Sequence, residues 1–86
     1  MAIEWAASAN RHGVTKEQIM CAMTHTIANR VVPGHPGSIT RVFVGPPYEL
    51  SDELLEVLVT YQPVTRRLTV FHAMPLTDTF RYLVKE

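Results

Sequence analysis

The sequence predicts an α+β domain: a four-stranded, mainly antiparallel sheet with two N-terminal helices on one face and a short C-terminal helix. Two observations carry this. From Leu54 to Leu76 the runs LLEVLVTY and RLTVFHAMPL alternate with strand periodicity on either side of a short Gln62 to Arg67 connection, the pattern of an antiparallel hairpin. Ahead of them, Thr15 stands three positions before Gln18 and opens a run that sets Ile19, Met20, Met23 and Ile27 along one helical face. That is a capping box at the head of an amphipathic helix starting at Lys16.

The remaining elements follow in order. Residues Ile3 to Arg11 include Trp5, Ala6, Ala7 and Ala9, and their helix propensity predicts a short helix ending near His12, before Gly13. The second helix loses its pattern near Thr26 and is expected to pack on the hairpin, with Ile19, Met23 and Ile27 against Val42, Val44, Val57 and Val59. β-Branched residues from Ala28 to Val32 predict a short strand, closed by Pro33, Gly34, Pro36 and Gly37. Arg41 to Val44 reads as another strand, with Val42 and Val44 facing opposite to Arg41 and Phe43. Gly45, Pro46 and Pro47 end it. Pro75 closes the last strand, and Thr77 or Asp78 is placed to cap a final turn through Phe80, Arg81 and Leu83.

Size and composition bound the function. Residues 1–86 form a single domain whose small core calls for added stability from a partner, so an assembly with itself or with another protein is expected. The one cysteine, Cys21, excludes an internal disulfide framework and fits a reducing compartment. No secretory segment or membrane-length apolar run appears, so the expected location is cytoplasmic, away from the membrane. Eight basic residues balance eight acidic ones, which removes the usual argument for sequence-independent nucleic-acid binding. The bases are mostly arginine, suited to anions, and up to Phe43 they outnumber the acids.

No phosphate-binding glycine loop, nucleophile elbow or metal motif is present, and no cofactor is implied. Cys21 and His25, four apart on the predicted helix, could touch one metal, but two ligands do not make a site. The hairpin is more informative. Glu56 and His72 are the only ionisable groups inside its two apolar cores, where each needs a partner or a purpose. If Leu58 pairs with Val70, Glu56 lies opposite His72, and Arg41 projects from the same open face. A carboxylate, an imidazole and a guanidinium so gathered could activate a hydroxyl and hold a phosphate, as metal-independent cleavage of RNA through its 2′-OH requires. Residue types alone favour the plainer reading, a cross-strand ion pair that sets register or a partner interface. In the other pairing parity His72 would lie opposite Val57, beneath the helices.

Taken together, RHGVTKEQI, ITRVFVG, LLEVLVTY and RLTVFHAMPLTDTFRYL resemble the BrnT-like toxins of bacterial type II toxin–antitoxin systems, within the RelE-type toxin group. The resemblance spans nearly the whole chain: a basic-His-Gly-Val turn at Arg11 to Thr15, an arginine-led strand ending at Gly45, and the apolar hairpin. It implies an endoribonuclease that arrests translation and growth, with RNA as substrate and a cognate antitoxin bound over the active face. Catalysis would fall to His72, Glu56 and Arg41, and RNA contact to Arg11, His12, Arg30 and Arg81. Family members often carry further basic residues after the last strand, where this chain has Met74, Thr77 and Asp78. A non-catalytic protein-interaction domain of the same fold is the alternative.

Overall fold

A computed structural model describes residues 2–84. Along the chain lie β1 (Ala2–Trp5), a 3-10 turn (Ala7–Asn10), α1 (Lys16–Thr24), β2 (Ala28–Val32), β3 (Ile39–Gly45), β4 (Leu55–Gln62), β5 (Arg67–Pro75) and a second 3-10 turn (Arg81–Leu83). The sheet is ordered β1-β5-β4-β3-β2. Every neighbouring pair is antiparallel except β1 with β5, which is parallel. The expected four strands and two N-terminal helices are thus corrected to five strands in a mixed sheet and one α-helix among the described residues.

The first expected helix fails for a tertiary reason. Ile3 and Trp5 alternate with Glu4, and β5 offers an open edge on which this short segment pairs, Ile3 with Leu68 and Trp5 with Val70. The packing of Trp5 against the core and four residues of ladder outweigh the weak helix preference of the alanines. The alanines that follow make only the 3-10 turn, where Ala9 is buried and Ser8 Oγ donates a 2.5 Å hydrogen bond to the Phe71 carbonyl. The turn takes the place beside β5 that β1 vacates.

The second helix forms as its capping box dictates. Thr15 Oγ1 accepts from the Gln18 amide, while the Thr15 amide donates to Gln18 Oε1, so two amides at the helix start are satisfied reciprocally. α1 lays Ile19 and Ala22 onto Leu55, Val57, Val59, Val70 and Ala73, with Met23 half-buried at the margin. Its approach is so close that a Cβ on Gly45 would stand 2.1 Å from the Ala22 carbonyl oxygen, which only glycine tolerates. Ile27, expected in this layer, lies past the helix end and is exposed.

Register settles which residue faces which way, because directly paired residues share a face. Arg41 pairs with Val59, Phe43 with Val57 and Gly45 with Leu55, all on the α1 face. Val42 pairs with Leu58 and Val44 with Glu56, on the far face. The expected packing of α1 on Val42 and Val44 is therefore corrected. Both valines are fully buried, but on the side where Thr77 reaches Glu56 and Tyr82 lies under Arg30.

β5 contains an irregularity with consequences for the site. Leu58 pairs with His72 and Val59 with Val70, so Phe71 is an extra residue, a β-bulge. The expected pairing of Leu58 with Val70 is therefore corrected: the register is displaced by two residues at Leu58 and by one beyond the bulge, where Val59 takes Val70. Among the described residues no helix is long and apolar enough to cross a membrane.

Candidate functional site

The far face of the sheet gathers the polar side chains that the apolar strands contain. Glu56, on β4, is 3% exposed. Burial of a carboxylate is costly unless it is hydrogen-bonded, and here three donors converge on it. His72 lies 2.9 Å away through Nε2 to Oε2. The Thr77 amide and hydroxyl donate to Oε1 at 2.7 and 2.5 Å. Because a carboxylate is an acceptor, the imidazole presents its Nε2–H to Glu56, and in neutral His72 this leaves Nδ1 as a free lone pair. Carboxylate and threonine together fix both the ring's orientation and its tautomer.

The pair forms although the two residues are not opposite each other: Glu56 pairs with Met74 and Leu58 with His72, so the contact is diagonal. His72 is neither opposite Glu56 nor beneath α1, but the expected carboxylate–imidazole contact exists. Beside it stands His12, just beyond the first 3-10 turn, its ring 6.0 Å from that of His72 between centroids and inclined at 71°. Two imidazoles, one braced and half-buried and the other exposed, therefore stand edge to face.

Of the predicted catalytic residues, Arg41 is not brought to this site. It lies on the α1 face, where its guanidinium donates to the Asn29 side-chain carbonyl. Of the residues named for RNA contact, Arg30 and Arg81 make side-chain contacts and Arg11 and His12 are exposed. Arg30 pairs with Val42 on the far face and stacks over Tyr82, its guanidinium carbon 5.6 Å from the ring centroid. Arg81 hydrogen-bonds Asp78 and the Leu76 carbonyl, in the segment carrying Thr77. Arg11 is exposed next to His12.

One residue of the site has a role other than the one its sequence position predicts. Thr77 is not a helix cap: the last 3-10 turn starts after Phe80 with no side-chain cap, and the Thr77 hydroxyl is spent on Glu56. Phe71 does not point into the core. The bulge turns it towards Thr40 and Thr60 of the far face, where with His35 it lines a cleft of about 220 Å³. A larger cleft, about 380 Å³, sits at the foot of β4 and β5, but Asp52 and Glu53 on its rim oppose a phosphate. Cys21 and His25 do not make a metal centre: no three His, Cys, Asp or Glu side chains gather among the described residues, and His25 lies 3.7 Å from Glu49 instead.

Compared with known proteins, the chain matches no family model, no curated protein and no solved structure.

Proposed function

We propose that this protein is the toxin of a toxin–antitoxin pair and cleaves RNA without a metal ion, using the imidazoles of His72 and His12. The observation that carries this reading is the diagonal Glu56–His72 contact with a second imidazole 6.0 Å away. Cleavage through the ribose 2′-OH needs a base at that hydroxyl and an acid at the departing 5′-oxygen. His72 Nδ1 takes the 2′ proton, and buried Glu56 stabilises the imidazolium that results. The 2′-oxygen attacks phosphorus, the bond to the 5′-oxygen breaks, and protonated His12 supplies that oxygen with a proton. The products are a 2′,3′-cyclic phosphate and a free 5′-hydroxyl.

The surroundings support an RNA substrate. Phe71, next to His72 in the chain, and its cleft offer a base an aromatic platform, and Arg30 and Arg11 add exposed positive charge, whereas Arg81 lies in the cleft rimmed by Asp52 and Glu53. Growth arrest, and its relief by a cognate antitoxin in the cytoplasm, come with the resemblance to the BrnT-like toxins. Incubating purified protein with a labelled oligoribonucleotide in EDTA tests the reading. Cyclic-phosphate ends with the parent, and their loss with His72→Ala and with His12→Ala, are expected. Undiminished cleavage by either variant, or no cleavage by the parent, would overturn it.

A further inference from the structure

The α1 face of the sheet is only partly covered. α1 spans nine residues and lies over the end of β3 and β4 that carries Gly45, Leu55 and Val57. At the other end a row of side chains crosses four strands in register, Ile3 of β1, Leu68 of β5, Tyr61 of β4 and Ile39 of β3. Ile3 is 40% and Ile39 45% exposed, and Val31, paired with Arg41 on the same face, is 52% exposed. Between this row and α1 runs a groove of about 290 Å³ lined by Ile39, Arg41, Phe43, Val59, Tyr61 and Leu68.

One charge interrupts it. The Arg41 guanidinium is held by the neutral Asn29 amide, and none of the ion pairs among the described residues includes it. An arginine set in apolar surroundings is matched by a carboxylate brought to it, in the bidentate geometry that guanidinium favours. The length of the row also constrains what fits. Three inter-strand spacings come to about 14 Å, and a helix of about ten residues covers that span. A strand partner would need an open backbone edge, and this groove lies on a face.

We propose that the groove docks an amphipathic helix of a partner protein, its apolar stripe on the Ile3–Leu68–Tyr61–Ile39 row and an acidic side chain on Arg41. The helix completes beside α1 the layer that α1 begins. Its site is on the opposite face from Glu56 and His72, so the proposal stands apart from the ribonuclease reading.

The test uses the ¹⁵N-labelled chain and a stapled helical peptide of about fourteen residues, with leucines along one face and a single central glutamate. A twin peptide carries lysine in place of the glutamate. Amide shifts confined to Ile3, Ile39, Arg41, Tyr61 and Leu68 are expected, with the lysine twin binding about tenfold more weakly. Arg41→Glu should reverse the order of the two peptides, and Ile39→Asp, at an exposed position, should weaken both while the spectrum stays folded. Equal affinity for the twins, shifts elsewhere, or no shifts at millimolar peptide would overturn the proposal. So would self-association without peptide mapping to the same residues, which would make a second copy the occupant. Neither arm reads RNA cleavage, so the groove and the catalytic reading fail separately.

Discussion

Glu56 and His72 meet at 2.9 Å across a register in which neither is the other's partner, and the buried member also holds Thr77. The contributions of the two residues to stability are therefore unequal. His72→Ala removes one of three donors from Glu56 at a half-exposed position and should cost about 1 kcal/mol, a fall in Tm of roughly 4–8 °C. Glu56→Ala strands the part-buried Thr77 amide and opens a void, and should cost about 3 kcal/mol. Both should abolish RNA cleavage. Urea unfolding of the two variants checks the ranking, and equal losses would show that Thr77 does not depend on the carboxylate.

Arg41 makes a sharper separation. It lies on the α1 face, so Arg41→Ala should leave RNA cleavage within about twofold of the parent. Arg30→Ala, on the far face, should raise KM with little change in kcat, as loss of a phosphate contact does. Initial rates over a range of oligoribonucleotide concentrations distinguish the two. A collapse of activity in Arg41→Ala would return the guanidinium to the reaction.

Phe71 can be tested by deletion. Val70, His72, Ala73 and Met74 alternate faces correctly without it, so deleting Phe71 regularises the ladder and keeps Val70 and Ala73 on α1. The sheet should survive with a loss under about 2 kcal/mol, mainly the Ser8 hydrogen bond and aromatic burial. RNA affinity should fall by the value of one stacked base, about 1–3 kcal/mol. Circular dichroism melting and filter binding measure the two effects.

Gly45→Ala should be among the most damaging single-methyl changes in the chain. The new carbon meets helix backbone, which cannot turn aside as a side chain can, so a loss of about 3 kcal/mol is expected. Thr15→Ala, which removes the hydroxyl half of the capping box and leaves the backbone amide at position 15 to donate to Gln18, should cost about 1 kcal/mol. Thermal melts of both proteins test this order.

Much of the architecture was legible. The span Ala28–Val32 follows from its β-branched residues, the hairpin from alternation and the start of α1 at Lys16 from capping. What failed was choosing the face. Alternation correctly set Arg41 with Phe43 and apart from Val42 and Val44, but the valines are buried by the C-terminal segment on the far face while α1 covers only part of the other, so apolar residues do not tell which face α1 takes. Gly45 carried the missing signal. It shares the parity of Arg41 and Phe43, and a strand-end glycine marks where another backbone comes close. β1 was hidden because four residues next to alanines hold no strand without a partner edge. The bulge was hidden because one surplus residue looks the same as unbroken alternation until the opposite strand is known.

The parallel pairing of β1 on β5 has a consequence in time. Ser8 reaches a carbonyl 63 positions ahead of it, and His12 follows Ser8 to the same edge. No local contact can bring His12 to His72. The edge of β5 must exist first, and closing so long a loop is slow compared with forming α1 or the hairpin. A chain still leaving the ribosome thus carries its two imidazoles apart, and the ribonuclease proposed above comes into being only when synthesis has passed β5 and the N-terminal segment has returned to it.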